Sequence, residues 1–126
     1  MKKSNIYFLL FVFGVLLNAC TYDFIAKEEL PTVDPTVDIL FATQIAPIFA
    51  SNCVACHKAG GQAPDLSAAV AYANIKSMNL VSTATPATSL IYTYPSPTTT
   101  IHTWKKYSAA DAQLVLTWIQ QGAKNN

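Results

Sequence analysis

Between Asp38 and Asn52 the apolar residues Phe41, Ile45, Ile48 and Phe49 recur at spacings of four, three and one, the stripe of a helix that buries one face. Pro47 lies inside this pattern, where a missing N–H and a ring clash with the preceding turn predict either a kink or a fresh helical start near Ala46. A second stripe, Val70, Ala71, Ile75 and Met78, predicts a helix over Ala68–Met78 with Ser67 as its cap. A short helical piece near Ala87–Thr93 follows Pro86, and Tyr94-Pro95-Ser96-Pro97 predicts an irregular, extended crossing. The last pattern is the strongest. Ser108 with Asp111 reads as a capping box, Ala112, Val115, Leu116 and Ile119 form the buried stripe, Gly122 closes the helix, and the polar end beyond it is expected to fray. No alternating strand pattern occurs, so the expected fold class is all-α, with three main helices and long connecting loops.

The ends of the chain divide it. Lys2 and Lys3 precede an apolar run from Ile6 to Leu17, a positive segment followed by a hydrophobic one that is short for a membrane span, as in a secretory signal. Residues 20–37 are polar, and a doubled Pro-Thr-Val-Asp at 31–34 and 35–38 favours extended backbone, so the segment reads as a flexible tether. The expected organisation is therefore a signal over 1–19, a tether over 20–37 and one domain over 38–126. Without Lys2 and Lys3, six lysines face seven acids, and the sequence contains no arginine, so a nucleic-acid partner has no electrostatic footprint. A domain this small has a core that is marginal by area alone and would gain from an apolar prosthetic group at its centre.

Chemistry concentrates at Cys53-Val-Ala-Cys56-His57. Two thiols three apart sit about one helical turn from each other on one face, as required to add across two vinyl groups of a haem, and the next histidine falls beneath the iron as an axial nitrogen ligand. A zinc site needs two further ligands, for which only Cys20 and His102 remain. A thioredoxin-like pair needs flanking strand–helix alternation, and a plain Cys53–Cys56 disulfide stays open as the reading without haem.

Two resemblances extend this. Leu17-Asn18-Ala19-Cys20 resembles the lipobox of bacterial lipoproteins, which implies lipidation of Cys20, export, and attachment to the cell envelope. Thr21 after that cysteine leans towards the outer membrane, facing the periplasm. From about Asp38 to Gly122 the chain resembles class I c-type cytochromes: Ile45-Ala46-Pro47-Ile48-Phe49 leads into Cys-x-x-Cys-His, a Pro-Asp-Leu follows at Pro64, and Trp118-Ile119-Gln120-Gln121-Gly122-Ala123 closes the chain.

The resemblance implies three helices around one covalently attached haem c, the first and last crossing through Phe41 or Ile45 against Leu116 or Trp118. It implies that the Pro64 carbonyl receives the N–H of the proximal His57. The chain departs from the family at the sixth iron ligand, for no methionine follows Met78, and His102 stands in the loop where the family carries one. His57/His102 ligation is the expectation, with Met78 or an open position as the alternatives. Tyr92, Tyr94 and Trp104 are candidates to cover the haem edge, and Lys105 and Lys106 are either a local docking patch or a solvated approach to the last helix.

Two imidazoles close the iron to substrate and predict a lower potential than His/Met ligation gives. The implied function is an electron carrier, not an enzyme, working between donor and acceptor proteins of the envelope with no small-molecule substrate. The competing readings are an open haem with peroxidase or ligand-sensing activity, and a non-haem lipoprotein.

Overall fold

The computed structural model describes residues 33–126; the signal segment, Cys20 and the first part of the tether lie outside the described residues. Among those residues the chain is helical, with no strand, so the all-α expectation holds. A π-helical turn, Phe41–Ile45, runs directly into α1 (Ala46–Asn52). α2 spans Ala71–Ser77, a 3₁₀ turn Pro86–Thr88 precedes the single-turn α3 (Leu90–Thr93), and α4 (Ala109–Gln120) closes the fold.

Pro47 explains the unusual first turn. It sits in the opening turn of α1 and has no N–H to offer the carbonyls of the turn before it, and the chain reaches it through widened i→i−5 bonds from Ile45 and Ala46 to Leu40 and Phe41. The helical stripe survives this change: Phe41, Ile45, Ile48 and Phe49 are all buried.

α4 starts as its sequence predicts, with the Asp111 N–H donating to the Ser108 hydroxyl at 3.0 Å. The Asp111 carboxylate turns instead to the Asn52 amide at 3.5 Å. Its C-terminus is a Schellman motif: the Ala123 N–H reaches the Trp118 carbonyl, the Gly122 N–H reaches Ile119, and Gly122 takes φ +98°. Leu116 is only half-buried, and Trp118 replaces it in the core stripe beside Val115 and Ile119.

The segment from Phe41 to Asn52 and α4 run in opposite senses. At one end Phe41 and Trp118 have ring centroids 5.4 Å apart, and at the other Asn52 meets Asp111. Phe41 also packs edge-on against Tyr72 at 5.3 Å, which brings α2 onto the same core.

Four expectations change. The residues after α4 do not fray: the Asn126 side chain and carbonyl accept from the Phe41 and Ala42 N–H groups, and Lys124 pairs with Asp38 at 2.9 Å. The Gln121 amide accepts from Ile39 and donates to the Pro35 and Val37 carbonyls, so contact with the domain begins upstream of Asp38. Ser67 does not cap α2 with its side chain; Asp65 accepts its N–H at 2.9 Å, and the regular helix begins only at Ala71. Val70 and Met78, expected on the buried face of that helix, are exposed, because they flank a helix three residues shorter at its start and one shorter at its end.

Candidate prosthetic-group site

The cysteine motif follows the C-terminus of α1 in a tight turn. The Cys53 carbonyl accepts from both Cys56 N–H and His57 N–H, at 3.1 and 2.8 Å, and the next turn folds back through Gln62 N–H to the Cys56 carbonyl at 2.9 Å. Gly61 permits this return: a Cβ there would lie 2.4 Å from the Cys56 carbonyl oxygen, so no other residue fits without moving the backbone. Leu66 N–H then bonds the His57 carbonyl, and the loop delivers the Pro64 carbonyl to His57 Nδ1 at 3.2 Å.

Both thiols are free and differ in environment. Cys56 is exposed, whereas Cys53 is half-buried against the core, and that burial pushes its thiol up to about 11, with Lys105 opposing and Asp111 reinforcing the shift. Buried Tyr107 beside it donates its hydroxyl to the Ile91 carbonyl at 2.9 Å, and burial raises its phenol well above the usual value.

His102 arrives from the loop between α3 and α4, 45 positions along the chain from His57. The structure brings the two rings to 6.1 Å between centroids, with 29° between their planes. His102 Nδ1 contacts the Lys105 carbonyl as His57 Nδ1 contacts that of Pro64. A carbonyl can only accept, so each contact is a hydrogen bond when the proton sits on Nδ1, and in the neutral ring that tautomer leaves Nε2 free for a ligand. Trp104 lies against the outer side of His102, with ring centroids 5.6 Å apart.

A cavity of about 680 Å³ opens between these groups. Cys53, Cys56, His57 and Pro64 form one wall, and Ile101, His102 and Trp104 form part of the other. Leu66, Leu80, Ile91 and Tyr107 supply apolar floor, and Met78 and Leu90, each 45% exposed, stand at the rim. That rim position, rather than the core packing expected of Met78, follows from α2 ending at Ser77.

The cavity fits a flat apolar group with a metal at its centre. The His57 and His102 ring centroids stand 6.1 Å apart, close enough for both imidazoles to reach one metal ion. Among the described residues no three His, Cys, Asp or Glu side chains converge as a bare metal site would require.

Sequence reasoning missed the part played by the Lys105 carbonyl, because a backbone acceptor leaves no mark in the residue type. It also missed Gly61, whose requirement appears only when the approach of the Cys56 carbonyl is known. Comparison with protein-family profiles, curated proteins and solved structures finds no match, and the reading of this site rests on its own geometry.

Proposed function

We propose that the chain is a monohaem c-type cytochrome of the bacterial envelope, lipid-anchored through Cys20, with His57 and His102 as axial ligands and electron transfer as its function. The observation that carries this reading is the pair of imidazoles, with ring centroids 6.1 Å apart, lining a cavity whose wall also holds Cys53 and Cys56. Haem, once bound, would supply a one-electron iron couple.

The chain's own residues do the rest. Cys53 and Cys56 would hold the group through two thioethers, and the fixed turn at Gly61 sets the thiols and His57 relative to each other. The Pro64 and Lys105 carbonyls orient the two rings and raise the basicity of each Nε2, which favours ferric iron and lowers the potential. Leu66, Leu80, Ile91 and Tyr107 exclude water from the cavity floor. Were His57 and His102 both to ligate the iron, no coordination position would be left for peroxide or dioxygen, which argues for a carrier over an enzyme. The packing of Phe41 on Trp118, which joins the first and last helical segments, supports the same reading.

Expression with a c-type maturation system, followed by denaturing mass analysis, tests it. The expected result is a species heavier by one haem, with a low-spin spectrum that does not respond to carbon monoxide after reduction. A mass without haem, or lower by two hydrogens for a Cys53–Cys56 disulfide, rejects it.

A further inference from the structure

His57 and His102 are oriented by different means. His57 belongs to a turn held on several sides: its N–H donates to the Cys53 carbonyl at 2.8 Å, its own carbonyl accepts from Leu66, and its Nδ1 meets the Pro64 carbonyl. His102 lacks this backbone support. Residues 100–106 make no backbone–backbone hydrogen bond; the Ile101 N–H reaches only the Thr99 hydroxyl, and the backbone is next tied at Tyr107, whose N–H donates to the Pro95 carbonyl at 2.8 Å. Two contacts reach the His102 ring from its own loop, the Lys105 carbonyl at Nδ1 and the Trp104 ring at 5.6 Å between centroids.

These two contacts restrain different motions. A hydrogen bond keeps its strength through about 30° of misalignment, so the carbonyl aims Nδ1 without fixing the plane of the ring. An aromatic ring packed against the imidazole does fix that plane, because turning the imidazole breaks the contact between them. Trp104 is 77% exposed, more than any other large apolar residue among the described residues, so burial of its own surface does not account for a tryptophan there. Its contact with His102 does. The outcome is that the two imidazole planes lie only 29° apart, although one ring stands in a locked turn and the other in a loosely tied loop.

We propose that Trp104 is a positioning residue, which holds the His102 imidazole in a plane close to that of His57. The inference rests on the haem reading above and deepens it: a residue whose place in the sequence suggests a cover for the haem edge acts on the orientation of a ligand. Near-parallel axial imidazoles separate the two iron d orbitals that face them, whereas crossed imidazoles leave those orbitals close in energy. With haem bound, the angle that Trp104 sets is therefore read in the ferric electron paramagnetic resonance spectrum.

The experiment uses the haem-loaded full chain as wild type, Trp104→Ala and Trp104→Phe. Haem content by mass and the optical spin state are measured first; a wild-type chain that is haem-free or high-spin fails the haem reading itself, before the angle is tested. The low-spin wild type is expected to give three well-resolved g values. Trp104→Ala is expected to move the largest of them upward and broaden it, and Trp104→Phe to keep the wild-type spectrum. Urea unfolding midpoints are expected to coincide for all three, which separates orientation of a ligand from loss of fold. A Trp104→Ala spectrum identical to wild type, an equal change in Trp104→Phe, or a single strongly anisotropic signal in the wild type overturns the proposal. A high-spin Trp104→Ala also overturns it, because the tryptophan would then retain the ligand and not set its plane.

Discussion

His57 and His102 face each other across the cavity with their ring centres 6.1 Å apart, each imidazole fixed through Nδ1 by a backbone carbonyl. The two carbonyls belong to different loops, so the pair is set by tertiary structure and not by the cysteine motif alone. Replacing His102 with alanine should remove one axial nitrogen and leave the other. The expected outcome in the haem-loaded protein is conversion from a low-spin to a high-spin ferric spectrum, with carbon monoxide binding after reduction. A low-spin spectrum in His102→Ala would assign the sixth position to another residue, with Met78 at the cavity rim the first to test.

Much of this arrangement was legible in the sequence because short-range chemistry wrote it there. Ser108 and Gly122 mark the two ends of α4, and the spacing of Phe41, Ile45, Ile48 and Phe49 marks the buried face leading to Cys53. What stayed hidden depends on contacts between residues far apart in the chain. Gln121 and Asn126 look like a polar tail, yet they satisfy the unpaired N–H groups at Ile39, Phe41 and Ala42. Such polar partners follow no period. The Ser67 expectation failed for a local reason: the Asp65 side chain competes for the Ser67 N–H and delays the helix to Ala71.

The turn beneath the motif should be intolerant at one glycine and forgiving at its neighbour. A Cβ on Gly61 meets the Cys56 carbonyl oxygen at 2.4 Å, whereas one on Gly60, at φ +75°, meets nothing within 4 Å. Gly61→Ala should therefore cost about 1–3 kcal/mol in denaturant unfolding of the haem-free chain and reduce the haem yield measured by mass. Gly60→Asn should cost less than about 1 kcal/mol, because asparagine adopts the left-handed region readily. Equal losses at the two positions would contradict the close approach.

Phe41 joins three elements through its ring, touching Phe49, Tyr72 and Trp118 at centroid distances of 6.4, 5.3 and 5.4 Å. Truncating it opens a cavity where α1, α2 and α4 meet, and Phe41→Ala should lose about 3–5 kcal/mol. Trp104→Ala, at an exposed ring, should change stability by no more than about 0.5 kcal/mol. Urea unfolding of the two haem-free variants separates them, and a comparable loss at Trp104 would mean that its contact with His102 is structural.

Cys53 gives the haem-free chain a pH signature. Burial, reinforced by Asp111 and opposed by Lys105, raises its thiol from 9.0 to about 11, so the folded state favours the neutral form more than the unfolded state does. The stability this contributes is complete below pH 9 and is lost as pH rises through 11. At pH 9 about half of an unperturbed thiol is ionised and about a hundredth of one at 11, so iodoacetamide should modify Cys53 at least tenfold more slowly in the native chain than in urea. Peptide mass analysis of timed alkylation measures this directly. Native and unfolded chains that label Cys53 at the same rate would show that this thiol is not shielded by the core.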